Sequence, residues 1–308
     1  MIHQVEFRAM GCRMMVALDH PSPRIKERLQ RVKGWFEIWE QSLSRFRQDS
    51  ELSQLNRQAG STVQVSNTIW EVYKVARQAE LRSAGLVTPN VLDALEAAGY
   101  KNSFDQGLPA TAPMGTVAYA PDDGTMTIII DQSSRTICLP PQVHLDFGGV
   151  AKGWAAHQAM KRLQVYGPVL MDAGGDIAVS GCQLDGSPWP IGIANPLIPE
   201  ENLEILMIGR RGVATSGKDY RRWQQNDRWQ HHIIDPRTGM PAETDVLSAT
   251  IVAPTVIEAE FAAKLVLILG SQAGLDWLES QAALNGMLVL DSGECLYSQQ
   301  IGKYFWSE

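Results

Sequence analysis

Four short segments of this 308-residue chain carry residue types that could do chemistry. The first is His144-Leu145-Asp146-Phe147-Gly148-Gly149-Val150-Ala151-Lys152-Gly153. Its two glycines let the backbone approach a ligand closely, and the helix expected after them offers N–H groups and a positive dipole end to an anion. The spacing is not that of a G-x-x-x-x-G-K-[ST] phosphate loop, and a tight turn carrying a surface lysine reads equally well. The second segment, Met171-Asp172-Ala173-Gly174-Gly175-Asp176, repeats the glycine pair after a strand, and from spacing alone it is also a β-turn. The third, Ala214-Thr215-Ser216-Gly217-Lys218-Asp219-Tyr220, gathers hydroxyls around a glycine as a loop able to bond a phosphate or a ring edge. The fourth is His231-His232-Ile233-Ile234-Asp235-Pro236-Arg237-Thr238-Gly239. Strand alternation sends His231 and His232 to opposite faces, so at most one of them joins a given site as a base or a phosphate-orienting group. Together the segments suggest an anion or nucleotide cleft and name no reaction. No G-x-G-x-x-G occurs, which leaves a dinucleotide-binding Rossmann unit unsupported.

The elements that must position these segments follow from periodicity. Residues 4–18 alternate as two strands around Met10-Gly11, and apolar Ile25, Leu29, Val32, Phe36 and Ile38 predict a helix over about 23–41. Two helices are expected over 66–100, parted by the Gly85–Pro89 turn and stopped at Gly99. Short strands with Asp-Gly and Ser-Ser turns fill 115–140, and 143–163 reads as strand, glycine turn, helix. Short strands dominate 168–254, among them Val169-Leu170, Ile191–Ile193, Trp229–Ile234 and Val246–Val252. A helical stretch over about 255–280 then precedes a terminal strand pair. Helices and strands interleave without strict alternation, which predicts an α+β fold as one domain with two lobes.

Composition narrows the class. Hydrophobic residues make up 44% and charged residues 20%, enough for a sizeable core. Lys plus Arg is 27 against 34 Asp plus Glu, a net charge of −7, so the basic footprint of a nucleic-acid binder is missing. Cys12, Cys138, Cys182 and Cys295 lie far apart without zinc spacing and read as reduced and mostly packed. The N-terminus reads as a strand rather than a signal peptide, and apolar runs such as Leu265–Leu269 fall far short of the ~20 residues of a membrane helix. The expectation is a cytoplasmic protein with no nucleic acid and no membrane insertion.

Taken in order, these segments resemble the ApbE family, the FAD:protein FMN transferases. The resemblance starts at Phe7-Arg8-Ala9-Met10-Gly11 and runs through Ser44-Arg45-Phe46, Ser50-Glu51-Leu52, Leu55-Asn56 and Gly85 to Tyr100. It continues through the Lys152-Gly153 turn, Ala173-Gly174-Gly175-Asp176, Ala214 to Tyr220, His232-Ile233-Ile234-Asp235-Pro236 and the helix at Ala259 to Gly270. It implies a domain spanning residues 1–308 with mixed sheets, flanking helices and an FAD cleft between two lobes. The implied reaction moves FMN from FAD onto a Ser or Thr hydroxyl of a target flavoprotein and releases AMP, a phosphoryl-type transfer needing positioning, charge neutralisation and proton removal. FAD contacts are implied at Met10, Gly85, Gly148, Gly149, Lys152, Ala173, Gly174, Gly175, Asp176, Ser216, Gly217 and His232, with His232 as the acid/base or orienting group. Ala151, through its carbonyl, and Glu260 are implied at a magnesium site.

The chain departs from the family pattern where the metal is expected. Glu260 and Lys264 stand where an Asp and a Thr are usual, and an ammonium has three donors and no acceptor with which to ligate magnesium. Spaced i and i+4 on a helix, the two are expected to pair, with the Lys264 ammonium taking or repelling the cation's place and serving the catalytic charge. His157 stands where an acidic residue is usual, as an added positive charge, and Val87 and Thr88 replace a Phe-Asp pair. Two further readings stay open: an FAD-binding protein of this fold without the transfer reaction, and an FAD pyrophosphatase giving FMN and AMP.

Overall fold

The alternating N-terminal residues pair as a hairpin in the computed structural model, which describes residues 1–103, 127–225 and 228–307. Strands β1 (Ile2–Ala9) and β2 (Cys12–Asp19) meet at Met10 and Gly11, whose φ of 50° and 67° give a two-residue turn with the twist of the strands it joins. The helix expected over 23–41 is two, α1 (Ile25–Gln30) and α2 (Val32–Leu43), parted where the Arg31 N–H turns back to the Arg28 carbonyl at 3.2 Å. An unexpected helix, α3 (Glu51–Arg57), begins where the Ser50 hydroxyl accepts from the Ser53 N–H. After β3 (Thr62–Gln64) come α4 (Asn67–Arg82) and α5 (Leu92–Ala97), on either side of the Gly85 turn as the pattern implied. Strands β4 (Ile129–Asp131) and β5 (Thr136–Cys138) fall within the expected stretch, whose Asp123-Gly124 turn lies outside the described residues.

The strand expected at 143–147 does not form. Its backbone is bonded to side chains and turns instead: Leu145 N–H donates to Asn56 Oδ1 at 2.8 Å, Asn56 Nδ2 to the Leu145 carbonyl at 2.9 Å, and Asp146 N–H to the Pro89 carbonyl at 2.8 Å. The helix after it, α6 (Ala151–Leu163), stands as expected. Then follow β6 (Val169–Ala173), β7 (Ile177–Val179), β8 (Trp189–Ala194), β9 (Asn202–Ile208), β10 (Gly212–Gly217), β11 (Arg222–Gln225) and β12 (Arg228–His231). The run ends in β13 (Ile234–Asp235), β14 (Met240–Pro241) and β15 (Val246–Ala253). Helices α7 (Val256–Leu269) and α8 (Ser271–Glu279) are separated at Gly270, whose φ of 84° ends the first. Strands β16 (Asn285–Leu290) and β17 (Cys295–Tyr297) close the chain as the expected pair.

The chain divides into two compact units. The first comprises Met1–Phe36, Lys152–Tyr220 and Thr244–Glu308. Its frame is an eight-stranded sheet in the order β1-β2-β6-β7-β10-β15-β16-β17, antiparallel at every pairing. Leu170, Val179, Val213, Val252 and Val289 of the sheet pack with Trp189, Ile191, Leu206 and Ile208 of the β8–β9 hairpin. Helix α7 packs on β10 and β15, which explains why every residue of β15 is buried. It starts at Thr255, whose hydroxyl accepts from the Glu258 N–H at 3.2 Å, the cap that a T-x-x-E sequence encodes. The second unit comprises Glu37–Ala151 and Arg221–Glu243. It holds α3 to α5, the sheet β3-β5-β4 and two short hairpins, with a cluster of Ala94, Leu95, Ala98, Tyr100, Trp223 and Ile234. Helices and several sheets together make an α+β fold.

Candidate functional site

In the first unit three elements converge on one buried charge cluster. Lys152 enters from the first turn of α6, Asp176 from the turn between β6 and β7, and Glu260 from the second turn of α7. Lys152 Nζ contacts Asp176 Oδ2 directly and lies 3.3 Å from Glu260 Oε1, while the Gly153 N–H donates to Glu260 Oε2 at 3.0 Å. Asp176 and Glu260 are only 2% and 4% exposed, so their charges depend on these partners. Gly153 is required for that approach, because a Cβ there would lie 2.6 Å from Glu260 Oε2. Burial opposes the Lys152 charge, yet Asp176 and then Glu260 hold its pKa above the ordinary lysine value. Burial and the neighbouring Asp176 push Glu260 up to about 7, against the pull of Lys152, Lys264 and the Gly153 N–H.

The turn that carries Asp176 is set by left-handed backbone. Gly174 and Gly175 have φ of 68° and 94°, the Ala173 N–H donates to the Asp176 carbonyl at 3.0 Å, and the Gly175 N–H donates to Asp172 Oδ1 at 2.7 Å. A Cβ on Gly175 would meet nothing within 4 Å, so this turn borders open space. Burial raises the pKa of Asp172, with repulsion from Asp176 adding to it and the Gly175 hydrogen bond opposing it. Met10 lies at the β1–β2 turn. Ser216 and Gly217 do not lie in a loop: they end β10, paired with Ala249 and Ser248 of β15, because the backbone of 212–217 completes the sheet.

In the second unit the segment before α6 is fastened by side chains. Arg45 Nε meets Asp146 Oδ2 at 2.9 Å with both side chains largely buried, and Asp146 Oδ1 accepts the Gly148 N–H at 2.8 Å. The same guanidinium donates to the Tyr100 carbonyl at 2.7 Å and lies over the Phe46 and Tyr100 rings at 4.1 and 4.5 Å. Tyr100 stacks on Trp223, and the His232 ring stands edge-on to Tyr100 with centroids 6.5 Å apart. His232 follows β12, whereas its neighbour His231 is 9% exposed, accepts from the Ile233 N–H at Nδ1 and bonds the Ala242 carbonyl through Nε2. The two histidines are thus separated in role, His231 fastening the β13–β14 hairpin. Gly85, with φ of 87°, ends α4 by donating to the Glu80 carbonyl, and Ala151 opens α6 by donating to Phe147. Gly148 and Gly149 lie in the turn that leads into α6.

The sequence profile of the ApbE family matches residues 10–288. The chain belongs to the ApbE family. Among relatives, the FAD:protein FMN transferase of Vibrio cholerae is 28% identical over 273 residues, 86% of this chain and 80% of that one. The enzyme of the same name from Treponema pallidum is 27% identical, covering 90% and 81%. The crystal structure of the ApbE protein from Thermotoga maritima superimposes with a TM-score of 0.85 at 21% identity, covering both chains fully. The flavinyl transferase ApbE from Pseudomonas stutzeri, in its apo form, gives 0.82 at 22% identity, covering 100% of this chain and 98% of that one. The ApbE fold is therefore the fold of this chain.

Within this ApbE-family chain the donor set does not fit magnesium. The Glu260 oxygens face the Lys152 ammonium and the Gly153 N–H, and Lys264, half-buried one helical turn along α7, adds a second positive charge felt at Glu260. Among the described residues no three His, Cys, Asp or Glu side chains gather as a ligand set. Lys152 thus joins Lys264, the partner expected from helical spacing, as a cation acting on Glu260. His157 does not add positive charge: burial and then the nearby Lys161 lower its pKa. The cysteines are all reduced, and Cys182 is exposed rather than packed. Sequence reasoning passed over Arg45 as a clamp and Asp172 as the acceptor for the glycine turn, although both fall inside segments it had singled out.

Proposed function

We propose that this chain is an FAD:protein FMN transferase. The observation that carries the reading is the ApbE profile match across residues 10–288, with relatives of that printed name at 27–28% identity over most of the chain. In this reading the hydroxyl oxygen of an acceptor Ser or Thr forms a bond to the FMN phosphorus of FAD. The bond between the FMN phosphorus and the bridging oxygen breaks, AMP departs with that oxygen and the electron pair, and the hydroxyl proton passes to a base. His232 is assigned that proton, supported by its fixed, edge-on placement against Tyr100. Lys152 is assigned the neutralisation of pyrophosphate charge, supported by the carboxylates that keep it an ammonium despite burial. The glycine turns at 148–149 and 173–176 are assigned close backbone contacts to the nucleotide, with Met10, Gly85, Ser216 and Gly217 in support, and no step is routed through a metal. Lys264 stands for part of the positive charge that a divalent cation would bring. The partners are then FAD and a target flavoprotein; no helix among the described residues is long and apolar enough to cross a membrane.

The test is intact-mass spectrometry of a threonine-bearing acceptor domain incubated with the chain and FAD, with and without magnesium. A gain of one FMN in both conditions is expected, falling about 10²–10⁴-fold in rate for His232→Ala. No gain in either condition, from protein that retains FAD, would overturn the reading in favour of a flavin binder without the reaction. A gain only with magnesium would overturn the assignment of charge neutralisation to the two lysines.

A further inference from the structure

The first unit contains a cavity of about 260 Å³, bounded by α6, β7, the turn between β9 and β10 and the residues leading into α7. Its polar lining includes His157, Lys161, Arg210 and Arg211, and its apolar lining includes Met160 and Val179. No Asp or Glu lines it. Three permanent cations around one acid-free cavity stand out in a chain whose net charge is −7. Arg211 is fixed by donating from Nε to the Tyr304 hydroxyl and from NH1 to the Arg210 carbonyl, both at 3.3 Å, and neither bond neutralises it. Among the described residues Lys161 and Arg210 have no carboxylate partner.

His157 is the one histidine in the lining. Its Nδ1 is sealed from solvent and has no hydrogen-bond partner, so contact with a ligand falls to the rest of the ring. Burial and then Lys161 lower its pKa, so it meets a ligand as a neutral imidazole rather than as further charge. The volume is slightly below the ~300–1,000 Å³ of drug-sized sites and suits an oxyanion on a compact body.

We propose that this cavity binds a small phosphorylated molecule, its phosphate held by Arg210, Arg211 and Lys161, its proton-bearing oxygen or ester oxygen facing His157, and its short apolar body resting on Met160 and Val179. None of these residues is assigned to FAD, so the site and the transfer reaction stand or fall separately. Guanidinium forks and an ammonium are the groups that recognise phosphate by charge and paired donors.

The experiment follows the His157 ring nitrogens by NMR in the full-length chain without FAD. Inorganic phosphate and phenyl phosphate are titrated at constant ionic strength against chloride. A saturable shift with both probes is expected, with phenyl phosphate bound about tenfold more tightly because its ring covers the apolar lining. Arg210→Glu and, separately, Lys161→Gln each weaken binding, the charge reversal by about tenfold or more. Saturation by inorganic phosphate with no gain for phenyl phosphate would overturn the phosphorylated-molecule assignment in favour of the free ion. Absence of a saturable shift, or an unchanged affinity in a folded Arg210→Glu variant, would overturn the site.

Discussion

Two turns in this molecule share the pattern Asp-x-Gly-Gly and are built on different physics. At Asp146-Phe147-Gly148-Gly149 the aspartate reaches two residues ahead to the Gly148 N–H, and its charge is matched by the buried Arg45. At Asp172-Ala173-Gly174-Gly175 the aspartate reaches three residues ahead to the Gly175 N–H, and the glycines supply φ values of 68° and 94°. The first turn is held by side chains, and the second by a backbone conformation that only glycine adopts without strain. The charges differ too. Asp146 has a guanidinium at 2.9 Å, whereas burial leaves Asp172 with a raised pKa. An identical local pattern therefore conceals opposite sensitivities to mutation.

The comparison is broken most forcefully at Arg45. Arg45→Ala leaves the Asp146 carboxylate buried without its cation and removes the bond to the Tyr100 carbonyl, and should cost about 3–5 kcal/mol in urea unfolding. A loss below about 1 kcal/mol would place that pair in the solvent-screened class. Next come the glycines. Gly174→Ala combines a left-handed φ with a Cβ 2.7 Å from Cys12 Cβ, and should cost about 2–4 kcal/mol. Gly148→Ala meets only the Asp146 carboxylate, at 2.9 Å, and should cost about 1 kcal/mol by the same measurement. Equal losses at the two positions would erase the distinction between the turns.

The smallest effect is expected at Asp172. A folded-state pKa above the ordinary 3.8 means that the folded chain holds the proton more tightly than the unfolded one. That stabilisation is complete below pH 3.8 and is lost as pH rises through the folded-state value. Asp172→Asn keeps the acceptor for the Gly175 N–H and removes the buried charge. It should match or exceed the original chain in stability at pH 7, with the original chain gaining on it as the pH falls toward 3.8. A variant less stable at pH 7 would mean that the Asp172 charge is needed by its neighbours.

The sequence alone revealed what is local. The Met10-Gly11 turn, the helices around Gly85, the strand at 246–252 and the order of the glycine segments all rest on short-range periodicity and turn chemistry. The interruption at Arg31 escaped because it sits inside an unbroken apolar pattern, and periodicity alone ran the last helix past Gly270, which the family resemblance places at a helix end. The strand expected at 143–147 failed because Asn56, 89 residues away, takes the backbone bonds that a neighbouring strand would have used. The cluster of Lys152, Asp176 and Glu260 has the same origin, since Lys152 and Glu260 are 108 residues apart. Helical spacing points from Glu260 to Lys264, whose charge is felt there, but no local pattern could announce a second lysine delivered by another helix.

The order in which the strands leave the ribosome has a consequence of its own. Strand β2 pairs with β6, so Met14 waits for Ala173, and the sheet is finished only when β17 has emerged. The second unit has all its residues by position 243. Synthesis at ~5–20 residues per second leaves the β1–β2 hairpin with one edge uncovered for many seconds, and a lone two-stranded ribbon is barely stable in water. The β1–β2 hairpin thus waits for β6 before its inner edge is covered. Until then residues 2–19 are open to mispairing and proteolysis, at a stage when Asp176 and Glu260 of the charge cluster have yet to be made.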